Sequence, residues 1–214
     1  MKYKYILFDL DGTLTESAPG ITNAAAHALK SFGVEAEPSE LEFFVGPPLL
    51  GSFMRCGLSQ MQAAEAINVY REYYVARGMF ENAPYDGIAE ALSRLKEAGA
   101  TLLVATSKPE PFAERILERF GLAELFAVVA GSTLDETRTS KRDVIEYALA
   151  RAGVSERSAA VMVGDRSYDV EGAKATGLAS MGVLYGYGSA EELAGADFIA
   201  RTPSDIADIL LSAS

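Results

Sequence analysis

Asp9 and Asp11 stand two residues apart in "LFDLDGTLTES", where an apolar run ends and Gly12 turns the chain. Thr106, Ser107 and Lys108 follow "LLVA", Asp165 follows "VMVG", Asp169 comes one helical turn later, and Lys141 stands before "RDVIEYAL". Carboxylates this close repel one another unless something holds them together. Magnesium would, because it takes hard oxygen ligands, usually a few carboxylates with waters and a substrate phosphate. Asp9 and Asp165 can supply two ligands, Asp169 a third or a water-bridged support, and the Asp11 backbone carbonyl another. Such an ion also screens a carboxylate nucleophile from a phosphate dianion. The chemistry that suits the set is metal-assisted phosphoryl transfer. Thr106 can donate its hydroxyl to a phosphate oxygen, with the Ser107 amide beside it at a helix N-terminus. Lys141 can neutralise nucleophile and phosphate together. Lys108 and Arg55 are candidates for an anionic group elsewhere on the substrate. His27 is the only histidine, which argues against histidine-based phosphatases and serine–histidine triads.

These residues need strand ends to hold them. From residue 84 onward, apolar runs ("ATLLVAT", "FAVVAG", "AAVMVGD", "ASMGVLY") alternate with segments of helical spacing ("YDGIAEALSRLKEAG", "PEPFAERILERFG", "KRDVIEYALARAG", "YDVEGAKATG", "TPSDIADILLS"). That alternation predicts parallel βαβ units and a doubly wound α/β core. Ligands of such sheets sit beyond the carboxyl ends of the strands, where strand order reverses, and the candidate residues follow the predicted strands. Thr202 or Ser204 is the expected cap of the closing helix. Residues 15–81 break the rhythm with "ITNAAAHALKSFG", two short helical pieces, and a long helix opened by a Ser59-x-x-Gln62 capping box. This block is too long for a crossover. It predicts a small all-helical cap, 15–81, inserted into a core of 1–14 and 82–214, with hinges near 14–18 and 80–84.

Plainer readings compete at several places. Asp-Gly is a strong hairpin signal, but the other strand-end residues outweigh it. A calcium loop lacks its third ligand and closing glutamate, and "GPPLLGS" has no lysine after its second glycine to make a phosphate loop. Tyr70, Tyr73 and Tyr74 share a helix and are expected to pack the cap. His27 and Cys56 are expected to be structural, and "LYGYGS" a loop whose glycines serve a turn. Asp169 can either cap its helix or support a metal.

The 214 residues are 49% hydrophobic with a net charge of −11, which argues against nucleic acid or an anionic membrane as partner. One cysteine excludes an intrachain disulfide. No apolar run reaches the roughly 20 residues of a membrane helix, and the N-terminus lacks a signal-peptide pattern. A soluble, cytoplasmic protein is expected, monomeric or a weak homo-oligomer.

Taken in order, "FDLDGTLTES", "VATSKP", Lys141 in "TSKRD" and "VMVGDRSYDVEGAKATG" resemble the four motifs of the haloacid dehalogenase superfamily, and nearly the whole chain takes part. Within it the chain is similar to phosphatases of the phosphoglycolate phosphatase type, with a helical cap after the first motif. The resemblance implies a Rossmann-like core and a magnesium-dependent phosphomonoesterase acting on a small phosphorylated metabolite. It implies that Asp9 attacks phosphorus to form an aspartyl-phosphate and that Asp11 protonates the leaving alcohol, then deprotonates water. Gly12, Thr106, Ser107 and Lys108 would contact the substrate or its phosphate, Lys141 would be catalytic, and Asp9, Asp11, Asp165 and Asp169 would form or support the metal site. Phosphoglycolate is the substrate it suggests first and nucleoside 5'-monophosphates second. A sugar phosphomutase and a catalytically idle module are the remaining alternatives.

Overall fold

The computed structural model describes residues 1–135 and 137–213. Its contacts divide the chain into two compact units, Met1–Thr15 with the chain from Pro84 onward, and Glu16–Ala83.

The larger unit is built on six parallel strands: β1 (Tyr5–Phe8), β4 (Thr101–Pro109), β5 (Phe126–Ser132), β6 (Ala160–Gly164), β7 (Ala179–Val183) and β8 (Phe198–Ala200). Two-residue strands β2 (Thr15–Glu16) and β3 (Ala83–Pro84) pair separately. The large sheet runs β5-β4-β1-β6-β7-β8. The chain therefore builds outward on one side of β1, then returns to build on the other, and order reverses at β1. Register fixes what comes together there: Phe8 pairs with Val104 on one flank and Val163 on the other. Asp9, Thr106 and Asp165 thus follow within two residues of one level.

Five helices cover the sheet: α4 (Ile88–Glu97), α5 (Glu110–Arg119), α6 (Lys141–Arg151), α7 (Ser167–Thr176) and α8 (Pro203–Ser212). α6 packs on α7 and α4 on α8. Strands covered in this way lose the polar alternation of an exposed sheet, and Ile6, Leu7, Phe8 and all of β6 are buried. Leu7, Leu103, Ala105 and Met162 share one core cluster with Val144, Ile145 and Ala148 of α6. Thr202 caps α8, its hydroxyl accepting the Asp205 N–H at 3.3 Å. β8 was not expected from the sequence, because three residues between polar segments carry no period.

The smaller unit is helical, with α1 (Ala18–Lys30), α2 (Leu49–Arg55), α3 (Gln60–Ala76) and three short 3-10 turns. Ile21, Ala24, Ala25, Ala28 and Leu29 recur at helical spacing on the buried face of α1. The Ser59–Gln62 capping box opens α3 as expected. Tyr70 and Tyr74 are buried and stacked at 5.6 Å, with Phe53 edge-on to Tyr70. Tyr73 donates its hydroxyl to Glu81 at 3.0 Å and lies against His27. The three tyrosines pack this unit, and no helix among the described residues is long and apolar enough to cross a membrane.

Candidate active site

Asp9 lies one residue beyond β1, yet its N–H still bonds the Val163 carbonyl at 2.9 Å, so extended backbone continues. Leu7, two residues back, packs against α6. Strand alternation turns Asp9 the same way, toward the first turn of α6. Lys141 opens that turn, and the Ser140 hydroxyl caps it by accepting the Asp143 N–H at 3.1 Å. The Lys141 side chain is 5% exposed, with Nζ 2.7 Å from Asp169 Oδ1 and 3.1 Å from Asp9 Oδ1. Nζ also donates to the Ala105 carbonyl at 3.2 Å. Gly172 of α7 leaves room for this side chain, since a Cβ there would sit 2.8 Å from Lys141 Cγ.

Asp169 caps its helix, one of the two roles considered for it, and faces the Lys141 ammonium. Its Oδ2 accepts the Arg166 N–H at 3.0 Å and caps α7. Its Oδ1 pairs with Lys141 as an ion pair without an aligned hydrogen bond. Asp165, directly after β6, is wholly buried. The Thr13 hydroxyl donates to its Oδ1 at 3.3 Å and the Tyr187 N–H to its Oδ2 at 2.9 Å. Gly12 has φ +80, and a side chain there would overlap Asp165 Oδ2. The glycine therefore turns the chain and admits the carboxylate.

Asp9, Asp165 and Asp169 each offer an oxygen within 4.8 Å of the others, all three residues buried. Burial pushes the Asp165 carboxyl well above the usual range, helped by the charges of Asp169 and Asp9. Burial likewise pushes Asp169 up to about 6, against the opposing pull of Lys141. For Lys141, burial disfavours the charge, but Asp169 and Asp9 outweigh it and hold the ammonium above its ordinary range. Three ionised carboxylates against one ammonium leave two negative charges in a buried site. A divalent cation would let all three stay ionised, and the hard oxygen donors suit one.

Asp11 is apart from this trio. Its Oδ2 pairs with Lys108 Nζ at 2.8 Å, while Oδ1 is buried without a hydrogen-bond partner. Thr106 is buried and its Oγ1 accepts the Lys108 N–H at 3.2 Å. Ser107 differs from expectation. β4 runs on to Pro109, with irregular pairing to β5 after Ala105, so Ser107 is an exposed strand residue three positions ahead of α5. Pro109 and Pro111 flank the helix start and delay it past the hydroxyl. Arg55 belongs to the helical unit, where its guanidinium lies 4.0 Å over the Phe43 ring.

The sequence reading missed the 184–189 loop as part of this site. Its glycines serve close approach: a Cβ on Gly186 would overlap the Gly12 carbonyl, and one on Gly188 the Asp165 carbonyl. The Tyr185 hydroxyl donates to the Thr13 carbonyl at 2.9 Å. Farther along the chain, Glu192 accepts from Arg166 Nε at 2.8 Å and from the Ser167 N–H at 2.9 Å, fastening the start of α7. The paired glycines in "YGYG" were the available signal, because backbone approaches backbone only where side chains are missing.

Known proteins resemble this chain. A family model described as haloacid dehalogenase-like hydrolase matches residues 6–183. A protein of Pseudomonas aeruginosa named 5'-nucleotidase is 45% identical over 195 residues, 90% of this chain and 88% of that protein. Tyrosine-protein kinase PtkA of Mycobacterium tuberculosis is 45% identical over 203 residues, 94% of this chain and 67% of that one. A phosphoglycolate phosphatase of Vibrio parahaemolyticus is 30% identical over 219 residues, 97% of this chain and 96% of that one. The solved structure of a predicted phosphatase from Clostridium acetobutylicum superposes with a TM-score of 0.92 at 47% identity, covering 99% of each chain.

Proposed function

This chain belongs to the haloacid dehalogenase-like hydrolase family and is a phosphatase, and we propose that it cleaves small phosphomonoesters with magnesium through an aspartyl-phosphate on Asp9. The observation that carries the reading is Lys141, whose one ammonium is shared by Asp9 and Asp169 inside a buried trio of carboxylates. A structural ion pair needs one carboxylate, whereas a nucleophile that must approach a phosphate dianion needs a fixed ammonium beside it, and a metal ion with that, to offset the repulsion.

Asp9, Asp165 and Asp169 would hold the magnesium, with the Asp11 backbone carbonyl a further ligand. Bound there, the ion supplies charge neutralisation between the nucleophile and the phosphate. An Asp9 carboxylate oxygen attacks phosphorus, the bond from phosphorus to the leaving oxygen breaks, and Asp11 gives that oxygen a proton. Water then attacks phosphorus and loses a proton to Asp11, which frees phosphate and restores Asp9. Lys141 neutralises the transferring group throughout, and the Thr106 hydroxyl, whose proton is not used in accepting from Lys108, donates to a phosphate oxygen. Gly12 and the Ser107 amide complete the substrate contacts, and the Glu16–Ala83 unit serves as the cap that selects the substrate. The setting is the cytoplasm.

Of the two substrates considered from the sequence, nucleoside 5'-monophosphates draw support from a 45% identical relative named 5'-nucleotidase, and phosphoglycolate from one at 30%. Phosphate release from phosphoglycolate, nucleoside 5'-monophosphates, sugar phosphates and pyrophosphate, with and without magnesium, separates them. Magnesium-dependent release that Asp9→Asn lacks supports the reading. Release that Asp9→Asn retains overturns it, and interconversion of sugar phosphates without net release replaces it with a mutase. An arm with ATP and a tyrosine peptide asks whether an acceptor other than water is used, as the name of the mycobacterial relative states for that protein.

A further inference from the structure

The two neighbouring aspartates do not share one cationic partner. Asp9 has Lys141, while the Asp11 carboxylate turns to Lys108, its Oδ2 2.8 Å from Nζ. Both members of that second pair are largely shielded, the Lys108 side chain 6% exposed and that of Asp11 17%. We propose that Lys108 is a positioning residue that holds the Asp11 carboxylate in the orientation from which it serves the leaving oxygen. The inference rests on the proposed acid–base role of Asp11.

Several contacts fix Lys108 before substrate arrives. Its N–H donates to Thr106 Oγ1 at 3.2 Å, tying the lysine to the hydroxyl that would receive the phosphate. Its carbonyl lies over Gly131 of β5, where a Cβ would stand 2.5 Å from that oxygen and 2.5 Å from the Glu110 nitrogen. Only a glycine lets the strand pass so close. The neighbouring Glu110 then locks the crossing: its Oε2 accepts from the Gly131 N–H at 3.2 Å and from Arg138 Nη2 at 3.0 Å. Arg138 Nε donates to the Gly131 carbonyl at 2.8 Å. A lysine needed only to meet substrate in solvent has no use for a backbone anchored on this scale.

With one oxygen of Asp11 fixed on Lys108, the orientation of the other, Oδ1, is fixed too. Oδ1 is the oxygen that accepts no bond within the protein. The step it would serve moves one proton from Asp11 to the leaving oxygen as the bond to phosphorus breaks. A group misplaced by about 1 Å in such a step can cost about 10²-fold in rate.

The test uses p-nitrophenyl phosphate, whose leaving group departs without a proton, beside the alkyl monoester turned over fastest in the panel above. Wild type, Lys108→Met, Lys108→Gln, Lys108→Arg, Asp11→Asn and Lys108→Met/Asp11→Asn are compared with magnesium present. The expected result is read in the single-turnover rate of leaving-group release, because hydrolysis of the intermediate is common to both esters: Lys108→Met lowers it about 10²-fold for the alkyl ester and leaves release of p-nitrophenolate near wild type. Lys108→Arg recovers part of the loss, and Lys108→Met costs nothing further once Asp11 is Asn. Lys108→Gln repeats the measurement should the methionine variant fold poorly. A weaker half-saturation with an unchanged maximal release rate, an equal loss of release rate on both substrates, or losses that multiply in the double variant would overturn the inference. If Asp11→Asn itself shows no dependence on the leaving group, the acid–base reading fails. If it shows that dependence and Lys108→Met does not, the inference alone fails.

Discussion

Replacing Lys141 by methionine keeps most of the side-chain volume and removes the one ammonium that faces Asp9 and Asp169. The structure sets the size of the effect. The lysine is 5% exposed and its Nζ lies 2.7 and 3.1 Å from the two carboxylates, so water cannot take over its role. Removing one partner of such a buried pair costs about 3–5 kcal/mol, because the other charge remains without compensation. For a chain of this length, 1 kcal/mol moves the thermal midpoint by about 2–4 °C, so a fall of about 6–20 °C is expected near pH 8 in metal-free buffer. The loss shrinks toward pH 5, where burial already favours the protonated forms of Asp165 and Asp169. Added magnesium recovers part of it, since a divalent cation supplies the missing charge. Circular dichroism melts of wild type and Lys141→Met at both pH values, with chelator and with magnesium, read all three effects. A variant as stable as wild type at pH 8 without metal would refute the claim that Lys141 is the counter-ion of this cluster.

Three further expectations follow from the same geometry. Asp169 is held at about 6 in the folded protein against an ordinary 3.8. A raised acid stabilises the fold below its unfolded value and loses that contribution as pH rises through the folded one. Metal-free wild type should therefore lose roughly 2 kcal/mol between pH 4 and pH 7 through this group, and a flat urea-unfolding profile over that range would contradict the assignment. Asp11→Asn should slow turnover about 10²–10⁴-fold on alkyl phosphates, and steady-state assays showing a change of only a few-fold would move the acid–base role elsewhere. Gly12→Ala forces a side chain into a left-handed backbone and onto Asp165 Oδ2. It should cost about 1–3 kcal/mol and abolish the magnesium-induced rise in melting temperature; a variant that keeps that rise would count against this role for Gly12.

The strand ends were legible in the sequence because chemistry and period coincide there. Asp9 and Asp165 each follow an apolar run with no polar interruption, and Lys141 opens a helix with its own serine cap. What the sequence hid are contacts made by groups that every residue possesses. The Tyr187 N–H on Asp165 and the Arg166 N–H on Asp169 are backbone donors, so no residue type announces them. The Lys108–Asp11 pair spans 97 positions and depends on β4 continuing to Pro109, where the apolar pattern alone suggested an earlier end. For the same reason Ser107 stands in β4 and not at a helix N-terminus. β8 escaped because Phe198–Ala200 is too short to show alternation.

The central claim is that Asp9 carries the phosphoryl group between the two steps, and direct observation of that bond tests it most sharply. Asp11→Asn, with hydrolysis of the intermediate slowed, is mixed with the best substrate and magnesium, quenched in acid and digested for mass spectrometry. The account predicts a peptide containing Asp9 that gains the mass of one phosphoryl group, with fragmentation assigning it to that carboxylate and no gain in Asp9→Asn/Asp11→Asn. Phosphate release proceeding at a measurable rate with Asp9 never modified, or the group found on another residue, would contradict it.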